Sequence, residues 1–250
     1  MRRSLLALIA VSLAATAFGA PAIDDAREER LAQETVPSIV VGDAVWLATP
    51  SRPKVLAILT EPSAAPRGGV IVVHGMGVHP DFGVVNGLRS GLAEAGYTTL
   101  SVQMPVLSAA ASRDDYAVAL PAAGERIAAA IAFLRVRGVA KIAIVSHSLG
   151  ATMVDAYLAR PGALSIDAWV PVGMAVDFAV PPREPVLDVT AENELAAVAA
   201  ATPSRATRLP HDRCSRQLTI GGADHYFEHR RNELAAAIAA FLERVFGGQC

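Results

Sequence analysis

The sequence predicts one α/β domain: a mainly parallel sheet with helices on both faces and no large cap domain. Three observations predict it. Runs at residues 70–73 and 142–145 are continuously apolar, the pattern of strands buried on both faces. Segments of helical period stand between such runs, as parallel neighbours require. Only 12 residues, 173–184, separate the strand-like runs at 168–172 and 185–189, too few to fold into a cap.

The elements follow in order. Residues 38–47 and 55–60 read as an antiparallel strand pair at one sheet edge. The strand at 70–73 runs into His74-Gly75, a helix is expected over 84–95, and Gly96 precedes a strand at 97–103. Over 125–137, Ile127, Ile131 and Leu134 fall at i, i+4 and i+7, giving an amphipathic helix that Gly138 ends. The strand at 142–145 leads into a helix at 151–159, and strands follow at 168–172, 185–189 and 217–220. Leu234, Ile238, Phe241, Leu242 and Val245 give a last helix one apolar stripe. Residues 104–121 are the least periodic stretch, with a loop tip at 108–112.

Composition narrows the function. The 250 residues are 52% hydrophobic and 18% charged, so the chain can bury a large core and is no disordered scaffold. A net charge of −2 offers no electrostatic footprint for nucleic acid. Lys54 and Lys141 are the only lysines, and the other basic residues are scattered arginines.

The start of the chain reads as a targeting segment. Met1-Arg2-Arg3 is a short positive region, an apolar Leu/Ala-rich run follows, and Ala20-Pro21-Ala22 fits a small-residue cleavage site. The organisation expected is a signal peptide over 1–22, a linker or short helix over 23–37, and the α/β domain over 38–250. The run is shorter than the roughly 20 residues of a membrane span, and no transmembrane segment is expected after cleavage. The mature protein is therefore expected to be periplasmic or secreted. There, Cys214 and Cys250 can pair as a structural disulfide, with a chain-entropy contribution of about 4 kcal/mol.

The chemistry gathers at strand ends. Ser146-His147-Ser148-Leu149-Gly150 sits between a strand and a helix, where a nucleophile on a tight turn needs small residues two positions to either side. Ser148 is the candidate nucleophile. His225, in Gly221-Gly222-Ala223-Asp224-His225 after the strand at 217–220, is the candidate general base. Between them in the chain lie three carboxylates able to orient that base: Glu194, placed first, with Asp188 and Glu192 as alternatives. The glycines of His74-Gly75-Met76-Gly77 free backbone N–H groups, so the oxyanion donors expected are the amides of Met76 and Leu149. Gly75 and His147 border the substrate, His147 also packing beneath the nucleophile turn.

These motifs, in this order, resemble those of the α/β-hydrolases over the whole chain from about Ser38. More narrowly, His74-Gly75-Met76-Gly77-Val78-His79-Pro80-Asp81, residues 100–107 and residues 146–150 resemble an exported bacterial family of that fold whose activity is uncharacterised. The resemblance implies serine-hydrolase machinery and names no substrate. Ser146 in place of the usual first glycine, and a Glu rather than an Asp as acid, depart from the common pattern.

His225-Tyr226-Phe227-Glu228-His229 also matches H-x-x-E-H, an inverted zinc-protease pattern. That pattern needs a helix and a distant third ligand, whereas His225 follows a glycine-rich strand end. Neither metal nor cofactor is called for. The function expected is an exported serine hydrolase acting on a small-molecule or lipid-like acyl substrate, a carboxylic ester or related bond. The alternative is a non-catalytic binding or envelope protein that keeps the fold.

Overall fold

The computed structural model describes residues 20–250; most of the expected signal peptide lies outside the described residues. An eight-stranded sheet forms the centre: β1 (Asp43–Leu47), β2 (Val55–Thr60), β3 (Gly69–Val73), β4 (Thr98–Val102), β5 (Ile142–His147), β6 (Ala168–Val172), β7 (Leu187–Asn193) and β8 (Arg216–Asp224). Their spatial order is β1-β2-β4-β3-β5-β6-β7-β8. β2 pairs antiparallel with both neighbours, and every other pairing is parallel. The expected antiparallel edge and parallel centre are both present.

β3 and residues 142–145 of β5 are apolar at every position because both faces are covered. Ile71, Val73 and Ile144 face one core layer, against α3 (Leu120–Val136) and α4 (Leu149–Leu158). Val70, Val72, Ala143 and Val145 face the other, against α2 (Val84–Glu94) and α6 (Arg231–Phe246). The stripe foreseen for α6 is buried at Leu234, Ile238, Phe241 and Leu242. The 3-10 turn Asp114–Ala119 and α3 together are long and apolar enough to cross a membrane. Here that stretch packs on the sheet, and its buried Arg126 donates to the Gln103 carbonyl at 3.0 Å.

Residues 23–37 hold α1 (Asp25–Thr35), capped by Asp24, whose carboxylate accepts the Arg27 N–H at 2.8 Å. Helix α1 is fastened to the domain. Its buried Glu28 pairs with Arg126 at 3.0 Å, and Arg27 donates to the carbonyls of Leu107 and Gly77. A fifth helix after α4, α5 (Ala196–Ala206), packs beside β7. Cys214 and Cys250 form a disulfide that closes a separation of 36 residues and ties the end of α6 to the start of β8.

Register decides what meets at the C-terminal edge. Val73 pairs with Ser146, and His147 with Val172, so β3, β5 and β6 end level. On β7 and β8, Ala191 faces Ile220 while Asn193 faces Asp224, so β8 carries two extra residues across that step. Gly222 takes the left-handed φ of +66° within this bulge. The strand therefore runs on to Asp224, past the 217–220 limit that apolarity suggested.

Candidate active site

Ser148 stands at the turn between β5 and α4 with φ 55° and ψ −122°, a backbone state that costs about 1–3 kcal/mol for a non-glycine residue and clusters at functional sites. Its amide donates to the Val172 carbonyl at 2.8 Å. A Cβ at Gly150 would lie 2.4 Å from the His74 carbonyl oxygen, so glycine lets the start of α4 close on β3. Ser146 fills the place of the usual glycine because its buried hydroxyl has a partner, the Trp169 indole N–H at 2.9 Å.

The bulge on β8 sets the next contact. Asn193 and Asp224 are paired, so the residues that follow them, Glu194 and His225, leave adjacent strands side by side. His225 Nδ1 donates to Glu194 Oε2 at 2.7 Å, which leaves Nε2 to accept from Ser148 Oγ at 3.0 Å. Burial pushes the Glu194 carboxyl up. Hydrogen bonds from His225 and from the Ala191 and Leu195 amides outweigh burial and hold it below its ordinary value, so it is an anion facing the imidazole.

The other two carboxylates are occupied elsewhere. Asp188 is fully buried and accepts from Arg205 Nε at 3.0 Å and Gln217 Nε2 at 2.8 Å. Glu192 accepts the Gly222 N–H at 2.7 Å and pins the bulge. Neither reaches His225. The segment 225–229 is turn rather than helix, and His229 is exposed, so the H-x-x-E-H pattern does not present two histidines from one helix face.

The Met76 and Leu149 amides find no acceptor among the described residues. The direction of the first is set from below. His74 Nε2 accepts the Met104 N–H at 2.8 Å, so its Nδ1 carries the proton and donates to the Gly75 carbonyl at 2.8 Å. Fixing that carbonyl fixes the trans peptide plane that also holds the Met76 N–H. Burial lowers the His74 pKa to about 3, so this brace stays neutral.

Two positioning features were not legible in the motifs. A Cβ at Gly173 would lie 2.9 Å from His225 Cε1 and 3.2 Å from Glu194 Oε1, so a glycine directly after β6 makes room for the pair. His147 Nε2 donates to the His225 carbonyl at 2.8 Å and its ring lies against the His225 ring, centroids 4.9 Å apart. His147 thus borders the cleft and also buttresses the opposite loop.

Burial lowers the His147 pKa from the ordinary 6.5 to about 4, against the pull of the His225 carbonyl. A folded pKa below the unfolded one means the contribution to stability is complete above pH 6.5 and is lost as pH falls toward 4. Gln at this position donates the same bond and does not titrate. Between pH 7 and pH 4, His147→Gln is therefore expected to gain about 3 kcal/mol relative to the wild type. Urea unfolding at the two pH values checks this, and an unchanged difference would mean that His147 is protonated in the fold.

A cleft of about 560 Å³ opens over Ser148 and His225, lined also by Gly75, Met76, Phe82, Arg113, His147, Leu195 and Tyr226. The 173–184 segment adds no helix over it. Chemically, the arrangement offers an oxygen nucleophile, a base in line with it, an anion orienting the base and two free amides nearby.

No family model matches the chain, and no curated protein matches it. Solved structures do. A serine hydrolase without a lid from Xanthomonas campestris superposes with a TM-score of 0.65 at 18% identity, over 82% of this chain and 95% of that one. Est1E from Butyrivibrio proteoclasticus gives 0.64 at 17% identity, over 82% and 99%. Dienelactone hydrolase from Anabaena variabilis gives 0.65 at 20%, over 81% and 97%. At these identities the likeness is one of fold, and the fold is that of the α/β-hydrolases.

Proposed function

We propose that this chain, an α/β-hydrolase by fold, is an exported serine hydrolase that cleaves a carboxylic ester or a related acyl bond. The observation that carries the reading is the unbroken line from Ser148 Oγ through His225 to Glu194, at 3.0 Å and 2.7 Å. Ser148 Oγ attacks the acyl carbon as its proton passes to His225 Nε2. The Met76 and Leu149 amides receive the charge that forms on the carbonyl oxygen. His225 then protonates the leaving alcohol, and water releases the acyl group by the same route. Similarity of fold to a dienelactone hydrolase and to an esterase domain from Rhodothermus marinus supports an ester or lactone as the scissile bond.

Export is part of the proposal. Residues 1–22 act as the targeting segment, residues 38–250 as the hydrolase domain, and the Cys214–Cys250 bond fits an oxidising compartment such as the periplasm or the cell exterior. The substrate is a small or lipid-like acyl compound, since the cleft is open and apolar at its mouth.

The test is the intact mass of the disulfide-bonded protein after treatment with a fluorophosphonate. One adduct is expected on the wild type and none on Ser148→Ala. A folded wild type that takes no adduct would sink the catalytic reading in favour of a binding or envelope protein with this fold.

A further inference from the structure

The Ser148 cleft holds a cation that the triad chemistry does not use. Arg113 lies in the segment after β4, at the start of the 3-10 turn Asp114–Ala119, and lines the cleft. Its Nη1 is shielded from solvent, donates to nothing and makes no ion pair among the described residues. Asp114, next in the chain, is exposed and does not pair with it. The other charged side chains lining the cleft, Glu228 and Arg231, pair with each other at 3.7 Å. Burial pushes the Arg113 guanidinium below its ordinary value, against the pull of Asp114. The shielded Nη1 has no hydrogen-bond partner, and an anion reaching it from the cleft supplies one.

Around it the mouth is apolar. Met76, Phe82, Leu195 and Tyr226 are each about half exposed and line the same cleft. Apolar walls with one free guanidinium match an ester that has a hydrocarbon body and a single negative charge.

We infer that Arg113 selects for a carboxylate on the substrate, making the preferred substrate a carboxylate-bearing ester. One unpaired cation answers one negative charge, and the planar guanidinium fork can donate to both oxygens of a carboxylate. The inference rests on the hydrolase reading for its kinetic form, but binding can be measured without turnover.

The experiment compares matched esters. Para-nitrophenyl hydrogen glutarate is set against para-nitrophenyl valerate, with the charge on the acyl side. Para-acetoxybenzoate is set against its methyl ester, with the charge on the leaving side. The wild type is expected to favour the charged member of at least one pair by about tenfold or more in kcat/KM, the scale of one charge-assisted contact. Arg113→Gln is expected to collapse that ratio to near one, Arg113→Lys to restore part of it, and added salt to weaken it. In parallel, calorimetry follows binding of the hydrogen glutarate ester and of para-acetoxybenzoate to Ser148→Ala and to Ser148→Ala/Arg113→Gln, where at least one of the two is expected to bind the first protein and neither the second.

Turnover with no preference in either pair, or a ratio that Arg113→Gln leaves intact, overturns the inference and leaves the hydrolase reading standing. Arg113-dependent binding without turnover or fluorophosphonate labelling does the reverse. A fall in both members of a pair by the same factor, with lowered thermal midpoints, would make Arg113 structural and overturn the inference too.

Discussion

Glu194→Gln is expected to lower kcat for an activated ester by about 10⁴-fold, the scale seen when an acid that orients a catalytic histidine becomes an amide. The physical reason is the tautomer. The Glu194 anion accepts from His225 Nδ1 at 2.7 Å, which leaves Nε2 bare to take the Ser148 proton. An amide can turn its NH₂ toward Nδ1 and so put the proton on the wrong nitrogen. KM should move little, because Glu194 is buried behind the histidine. Glu192→Gln, which touches only the Gly222 amide, should stay within about threefold, the ordinary effect of a substitution away from the reacting groups. Steady-state rates for both variants, with circular dichroism to confirm folding, decide the matter. Full activity in Glu194→Gln would remove Glu194 from the mechanism.

The second large effect concerns stability. Arg205 and Asp188 are both fully buried, and Arg205 also donates to the Met174 carbonyl at 2.7 Å and the Val176 carbonyl at 3.1 Å. That network joins α5, β7 and the loop that follows Gly173. Arg205→Met strands the Asp188 carboxylate in the core with Gln217 as its remaining side-chain partner. A loss of about 3–5 kcal/mol is expected in urea unfolding, the cost of leaving one buried charge unpaired. Asp188→Leu/Arg205→Met should recover much of it, since an apolar pair removes the stranded charge. A loss under about 1 kcal/mol for the single variant would show that the pair contributes little.

Which parts could be read from the chain alone follows from whether local pattern or distant register decides them. Residues 70–73 and 142–145 are apolar at every position, and the turns that follow them carry Gly75 and Ser148, so strand, turn and candidate nucleophile are all local signals. The candidate orienting acid is not. Glu194 ranks first by its place after the strand, but Asp188 and Glu192 stay open as alternatives until β7 and β8 are aligned, and that alignment depends on two extra residues on β8 around Gly222. Helix α1 reads as a polar segment because its anchor, Glu28 against Arg126, spans 98 residues. Helix α5 is alanine-rich with Pro203 inside and buries only Val198 and Arg205, so it has no apolar stripe to find. Arg113 sits in the least periodic stretch, and only the folded cleft shows that it lacks a partner.

The bulge on β8 bears on self-association as well. β8 closes one side of the sheet, and an outer strand with an even row of N–H and C=O groups is a template onto which another chain can zip. From Arg216 to Ile220 the strand keeps a regular ladder with β7, led by a charged and an amide side chain. Beyond Ile220 the two extra residues and the left-handed Gly222 break the spacing of that row. A second copy arriving at this border meets a regular template only five residues long, 216–220. The irregularity that delivers His225 beside Glu194 thus also shortens the stretch of edge open to strand pairing.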